Sequence, residues 1–102
     1  MWPITADQPA NAIYLSEELD IAYELIEVRN GTGLGKILRN GRVPVGTIEA
    51  VKAEMHDVLN RAFGEDGARK RAKLQSLRKT LQASWNEDGV ARREVEEFLD
   101  DL

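Results

Sequence analysis

The sequence predicts an α/β chain dominated by helices, with about four helices and one or two short strands. The apolar residues of Thr47–Phe63 recur every three or four positions, which is the spacing of one buried helix face. Residues Ile21–Val28 are rich in β-branched and aromatic side chains, which favours a short strand. With a helix before it and an apolar stretch at the start of the chain, this strand predicts one βαβ-like unit.

The N-terminal elements follow from two prolines. Met1–Thr5 is apolar enough for a short strand, but Pro3 has no N–H, so this strand has to lie at a sheet edge or beyond the ladder. Pro9 stands where a first helical residue is expected, because its φ is already helical and its missing donor is not needed there. We therefore predict a helix over Pro9–Leu19.

A long glycine-rich loop is predicted over residues 29–45, where glycines and a proline occur without any sustained period. The Thr47 hydroxyl can cap the helix that follows, and Gly64 can end it. We expect this helix to bury one apolar face: Ile48, Val51, Met55, Val58, Leu59, Ala62 and Phe63.

Two further helices complete the prediction. One runs over Asp66–Ser84 and ends at the break formed by residues 86–89. The other starts near Val90. Their apolar stripes are Leu74, Leu77, Leu81 and Trp85 in the first helix, and Val95, Phe98, Leu99 and Leu102 in the second.

Length and composition exclude several classes of protein. A chain of 102 residues has room for one domain at most. It has no apolar run long enough to cross a bilayer and no secretory leader, so a cytoplasmic location is the expectation. The absence of cysteine excludes disulfides, thiolate nucleophiles and cysteine-ligated metals, and the single histidine argues against structural zinc.

Three other features favour ordinary structural roles. The basic stretch Arg69–Lys79 has no aromatic residue for stacking on bases, and the net charge of the chain is −4, so we expect a solvated helix face partly paired with the acidic segment Glu87–Leu102. His56 lies on the polar side of its helix and is expected at the surface. The Gly31–Lys36 stretch fits neither a phosphate loop nor a dinucleotide fingerprint, because the register lacks residues that each motif requires.

A candidate ligand site lies at Asp7 and Gln8, between the predicted first strand and the helix that Pro9 begins. In open α/β sheets, ligands bind at this end of a strand. A carboxylate accepts hydrogen bonds from hydroxyls, and an amide both donates and accepts them, so the pair can read the hydroxyls of a sugar. The alternative is that one of these side chains only caps the helix.

The stretch Trp2–Ala12 resembles the end of the signature box of UDP-dependent glycosyltransferases, and the order of elements that follows is similar over nearly the whole chain. The specific part of the resemblance is the spacing of Pro3, Asp7, Gln8 and Asn11. It implies that Asp7 and Gln8 bind the donor sugar, with Thr5 nearby. It also implies a fold of two Rossmann-like domains (GT-B), of which residues 1–102 would form the C-terminal part of the donor-binding domain.

The resemblance implies transfer of a hexose from a UDP-sugar to a small-molecule hydroxyl with inversion, without a metal or another cofactor. The histidine base would belong to an N-terminal domain, and His56 does not match its position, so we expect the chain alone to be inactive. The alternative is a small helical protein-interaction module without catalytic activity, whose amphipathic helices bury apolar side chains against each other or against a partner: Met55, Phe63, Leu77 and Phe98. The sequence identifies neither the sugar nor the acceptor.

Overall fold

The computed structural model describes residues 7–102, and helices dominate this range. It contains four α-helices: α1 (Gln8–Ile13), α2 (Ile48–Phe63), α3 (Glu65–Ser84) and α4 (Val90–Asp100). The predicted dominance of helices is therefore confirmed. The chain divides into two compact units, Met1–Lys70 and Arg71–Leu102, with the boundary inside α3. The strand predicted at Met1–Thr5 lies outside the described residues.

The predicted helix over Pro9–Leu19 is present in two parts. Pro9 lies in the first turn of α1, and a π-helical turn over Tyr14–Glu18 continues it. The segment ends at Asp20, whose φ of 54° is in the left-handed region that often closes a helix. Ala12 is fully buried and anchors this helix in the first unit.

The strand predicted over Ile21–Val28 is wrong, because no strand forms among the described residues. The side chain of Glu54, from α2, supplies the acceptors that a neighbouring strand would have supplied. Its Oε1 accepts the backbone N–H of Ile26 at 2.9 Å, and its Oε2 accepts that of Glu27 at 2.9 Å. β-branched composition favours extended backbone, but a ladder also requires a second strand.

The segment 30–46 contains a 3₁₀ turn over Gly31–Gly33 and folds back on itself. The N–H of Gly35 donates to the carbonyl of Pro44 at 3.1 Å. Gly46 closes the segment with a φ of 71°, and a Cβ atom there would overlap a methyl group of Leu34. The positive φ favours glycine at this position, and a Cβ atom would also lie 3.1 Å from the backbone oxygen of Arg29.

Helix α2 begins and ends as predicted. The Thr47 hydroxyl accepts the N–H of Ala50 at 3.1 Å, and Gly64 is the C-cap. The predicted buried face is only partly correct, because Phe63 is 85% exposed and three other members of that face are exposed as well: Ile48, Met55 and Leu59. The most buried side chain of the helix is that of Glu54, so the polar contacts of the first unit decide which face of α2 turns inward.

The predicted helices over Asp66–Ser84 and from Val90 are confirmed as α3 and α4. Their apolar stripes are largely uncovered, contrary to the expectation from periodicity. In the second unit the exposed large apolar side chains are Leu74, Leu81, Trp85, Val90, Val95, Phe98, Leu99 and Leu102. Among the described residues, no helix has the length and apolar character needed to span a membrane.

Candidate functional site

The predicted ligand pair, Asp7 and Gln8, lies at the start of α1, and both residues are exposed. Asp7 is the N-cap residue, but its side chain makes no capping hydrogen bond to the helix. Its Oδ2 atom instead accepts a hydrogen bond from Nδ2 of Asn11 at 2.9 Å. The capping alternative is therefore wrong for Asp7, and the carboxylate stays at the surface.

The other oxygen of this carboxylate, Oδ1 of Asp7, has no hydrogen-bond partner among residues 7–102. An ionised carboxylate offers about four lone-pair sites. The bond to Asn11 uses one of them. A ligand with a hydroxyl group can therefore donate a hydrogen bond to the exposed Asp7 carboxylate without displacing a contact made by residues 7–102.

Two other carboxylates of the first unit are occupied by backbone amides. Glu54 accepts those of Ile26 and Glu27, and its side chain is only 3% exposed. Glu27 in turn accepts the N–H of Val45 at 2.8 Å and that of Gly46 at 3.0 Å. The Gly46 amide is the main reason why the pKa of Glu27 lies below its ordinary value. These carboxylates hold the fold of the loop.

A cavity of about 350 Å³ lies beside α2, and the side chains of Glu27, Arg42 and Glu54 are part of its lining. Its charged lining groups already have partners, because Arg42 contacts Glu54 at 3.3 Å and Arg61 contacts Asp57 at 3.0 Å. A ligand here would have to break these pairs. The cavity is therefore a weaker candidate than the exposed pair at α1.

A third group of polar contacts joins the segment after α1 to the start of α3. The hydroxyl of Tyr23 donates to Oδ2 of Asp66 at 2.6 Å, while Arg69 and Lys70 both bind Asp20. Burial and the bond to Asp66 raise the pKa of Tyr23, whereas the bond from Tyr23 lowers the pKa of Asp66. Lys70 also lies 4.9 Å from the centre of the Tyr23 ring, a cation–π distance.

A curated protein matches the chain over almost its full length. It is the UDP-glycosyltransferase eriJ of Hericium erinaceus, which is 37% identical over 101 residues. The chain resembles a segment of a glycosyltransferase. The match covers 97% of this chain but 20% of that protein, so the chain spans about a fifth of the relative's length. No protein-family model matches the chain. No solved structure matches it either.

The remaining sequence-predicted positions fall in different places. Thr5, expected near the sugar, lies outside the described residues. His56 is exposed on α2 with Nδ1 3.1 Å from the side-chain nitrogen of Asn60, which agrees with a surface role. Arg69 and Lys70 of the basic stretch pair with carboxylates of the first unit, so for these two residues the expected pairing with the acidic C-terminal segment is wrong.

Sequence reasoning missed the contacts of two residues: it did not single out Glu54, and it used Asn11 only as part of the resemblance. Glu54 lies three residues after Val51 and four before Val58, so its place on an apolar helix face was a signal of a buried carboxylate. Asn11 lies four residues after Asp7, the spacing at which helical side chains meet.

Proposed function

We propose that this chain is the donor-sugar-contacting segment of a UDP-glycosyltransferase. In the proposed reaction a hexose passes from a UDP-sugar to a hydroxyl group of a small-molecule acceptor with inversion. The observation that carries the proposal is the 37% identity to a UDP-glycosyltransferase along 97% of the chain. The proposal is supported by the exposed positions of Asp7 and Gln8 and by the Asp7 carboxylate, which does not cap the helix.

The chemistry of the pair suits a polyol. Oδ1 of Asp7 accepts hydrogen bonds from sugar hydroxyls, and the Gln8 amide can donate to one hydroxyl and accept from another. A site that hydrogen-bonds a hydroxyl discriminates strongly against a sugar lacking it, because its own polar groups then lose their partners. We infer that these two residues select the donor sugar and do not act on the bond that breaks.

The proposed transfer forms a bond between the acceptor oxygen and the anomeric carbon while the bond from that carbon to UDP breaks. The acceptor proton passes to a base, and UDP leaves with the electron pair. We place this base outside residues 7–102, in an N-terminal domain that faces a Rossmann-like donor-binding domain across the cleft of a GT-B fold. The proposed reaction uses neither a metal nor another cofactor, and the chain alone is expected to be inactive.

Comparing UDP with UDP-sugars tests the proposal, because only the sugar contacts Asp7 and Gln8. In the full natural polypeptide that carries these residues, calorimetry would give Kd values for UDP, UDP-glucose, UDP-galactose and UDP-glucuronate. We expect D7A/Q8A to weaken the preferred UDP-sugar by about tenfold or more, since each hydrogen bond to a charged group contributes about 1.5 to 3 kcal/mol. The Kd of UDP should stay the same.

The matched control removes a carboxylate and an amide from the exposed side of α2. Asp57 and Asn60 are both exposed, and their side-chain partners, Arg61 and His56, lie on the same helix. D57A/N60A should bind UDP-sugars as the wild type does. If D7A/Q8A matches this control, or if the wild type prefers no UDP-sugar over UDP, the proposal is wrong.

The second candidate is a helical module that binds another protein, and the surface of α4 favours it. Val95, Phe98 and Leu99 of α4 and Leu102 after its end follow helical spacing and are all exposed. Sedimentation and thermal melting of the 102-residue chain separate the two proposals. A stable monomer with a cooperative melt supports the module, whereas association through uncovered apolar faces supports the glycosyltransferase segment.

A further inference from the structure

We propose that Asn11 is a positioning residue that sets the orientation of the Asp7 carboxylate for a sugar hydroxyl. The inference rests on the proposed donor-sugar function and adds a residue to it. Asn11 would not contact the reacting atoms. It would act through Asp7 by fixing which of its two oxygens faces the ligand.

Asn11 holds Asp7 at two points. Its backbone N–H donates to the carbonyl oxygen of Asp7 at 2.9 Å, and its side-chain Nδ2 donates to Oδ2 of Asp7 at 2.9 Å. The first bond fixes the backbone of Asp7 in the helical turn. The second ties the side chain to one rotamer, in which no other contact within residues 7–102 uses Oδ1.

This contact opposes the ordinary behaviour of aspartate at the start of a helix. An N-cap carboxylate normally turns back to accept an N–H from the second or third helical residue. Here the second helical residue is Pro9, which has no N–H, so one competing donor is missing. Asn11 then offers a side-chain donor on the same helical face. Together, Pro9 and Asn11 keep Asp7 directed away from the helix amides.

A fixed carboxylate binds a hydroxyl more tightly than a mobile one, because its rotamer entropy is already lost before the ligand arrives. Removing the Asn11 amide would release the carboxylate to other rotamers, including the capping one. We therefore expect N11L to weaken UDP-sugar binding while leaving the uridine diphosphate contacts intact. The expected loss is about fivefold, in the range that the ordering of one side chain on binding costs.

The test uses the full natural polypeptide and the Kd values of UDP and of whichever UDP-sugar the wild type binds best among UDP-glucose, UDP-galactose and UDP-glucuronate. N11Q retains an amide that can reach a carboxylate four residues earlier, so it should recover part of the affinity. N60L is the matched control, since Asn60 also makes an exposed amide contact four residues back, to His56. N60L should leave both Kd values unchanged.

The outcomes separate this inference from the function on which it rests. A loss confined to the UDP-sugar in N11L, with recovery in N11Q, supports the positioning role. Equal losses for UDP and UDP-sugar would assign Asn11 a structural role and overturn the inference, as would a wild-type Kd in N11L. If D7A/Q8A still loses sugar affinity in those cases, the proposed function stands. If the wild type prefers no UDP-sugar over UDP, both proposals fail.

Discussion

Replacing Glu54 tests whether its side chain supplies the hydrogen-bond acceptors that a neighbouring strand would otherwise supply. E54Q keeps the size of this side chain but changes what it offers to the backbone. Glu54 presents one oxygen to the N–H of Ile26 and the other to the N–H of Glu27, both at 2.9 Å. Glutamine has a single side-chain oxygen, so its amide nitrogen must face one of these N–H groups, donor against donor.

The contacts set the size of the effect. One buried N–H loses its acceptor, which costs about 1 to 3 kcal/mol, and the other keeps a weaker, uncharged acceptor. Ile26 is only 1% exposed, so water cannot replace the acceptor of its N–H easily. The lost ion pair with Arg42 adds little, because the Arg42 side chain is half exposed. We expect E54Q to destabilise the first unit by about 2 to 4 kcal/mol.

Amide hydrogen exchange measures the loss of stability at individual residues, so it can report on the first unit separately from the second. Protection should fall at Ile26 and Glu27 and through the loop that they support, and the urea midpoint followed by circular dichroism should fall with it. D57N is the control, because Asp57 lies one turn away and is 65% exposed. If E54Q and D57N differ by less than about 0.5 kcal/mol, the Glu54 contacts do not stabilise this fold.

Three further outcomes are expected. G46A should lower the urea midpoint more than G41A, because both positions have positive φ but only at Gly46 would a Cβ meet a leucine side chain; equal shifts would contradict this. The pKa of Glu27 is lowered in the folded chain, so the ionised side chain stabilises the fold fully above its unfolded pKa of about 4.3. This stabilisation is lost as the pH falls through the lower folded pKa. E27Q should therefore weaken the dependence of the urea midpoint on pH in the acid range. Burial and Asp66 raise the pKa of Tyr23 above 10.0, so D66N should return its phenolate absorbance transition toward the ordinary value.

Local signals were sufficient to predict the helices. Thr47 and Gly64 mark the ends of α2 because a capping hydroxyl and a terminal glycine act on their nearest backbone neighbours. The strand at Ile21–Val28 failed for the opposite reason. Its composition reports only a preference for extended backbone, whereas the partner of that backbone lies 27 and 28 residues away on α2.

Helix periodicity predicted where apolar residues align but not which stripe would be covered. On α2 four of the seven side chains in the predicted stripe are exposed, Phe63 among them, whereas Glu54 is turned inward by two backbone N–H groups. A hydrophobic stripe needs a second apolar surface, and within residues 7–70 fully buried apolar side chains occur at few places, among them Ala12 and Ile26. Polar contacts to the backbone therefore decide the orientation of α2.

The candidate site was visible in the sequence as a pair of residues but not as an arrangement. Asp7 and Gln8 can be named from residue type and position, yet capping and ligand binding use the same aspartate at the same place. The side-chain bond from Asn11 shows that the Asp7 carboxylate does not cap the helix, which becomes evident only when the rotamers are known. Sugar binding by Asp7 and Gln8 stays a prediction. Thr5 stays a prediction.

The carboxylates of the first unit that accept hydrogen bonds from N–H groups differ in how their two oxygen atoms are used. Glu54 and Glu27 each accept two backbone N–H groups, and these contacts fix the extended segment and the end of the loop. Asp7 accepts one hydrogen bond from a side chain, is exposed, and keeps Oδ1 without a partner among residues 7–102. A carboxylate whose side chain is already fixed, and whose second oxygen can still accept a hydrogen bond, can bind a hydroxyl at little entropic cost. That difference, rather than acidity alone, is the reason why we propose Asp7 as the sugar-binding group.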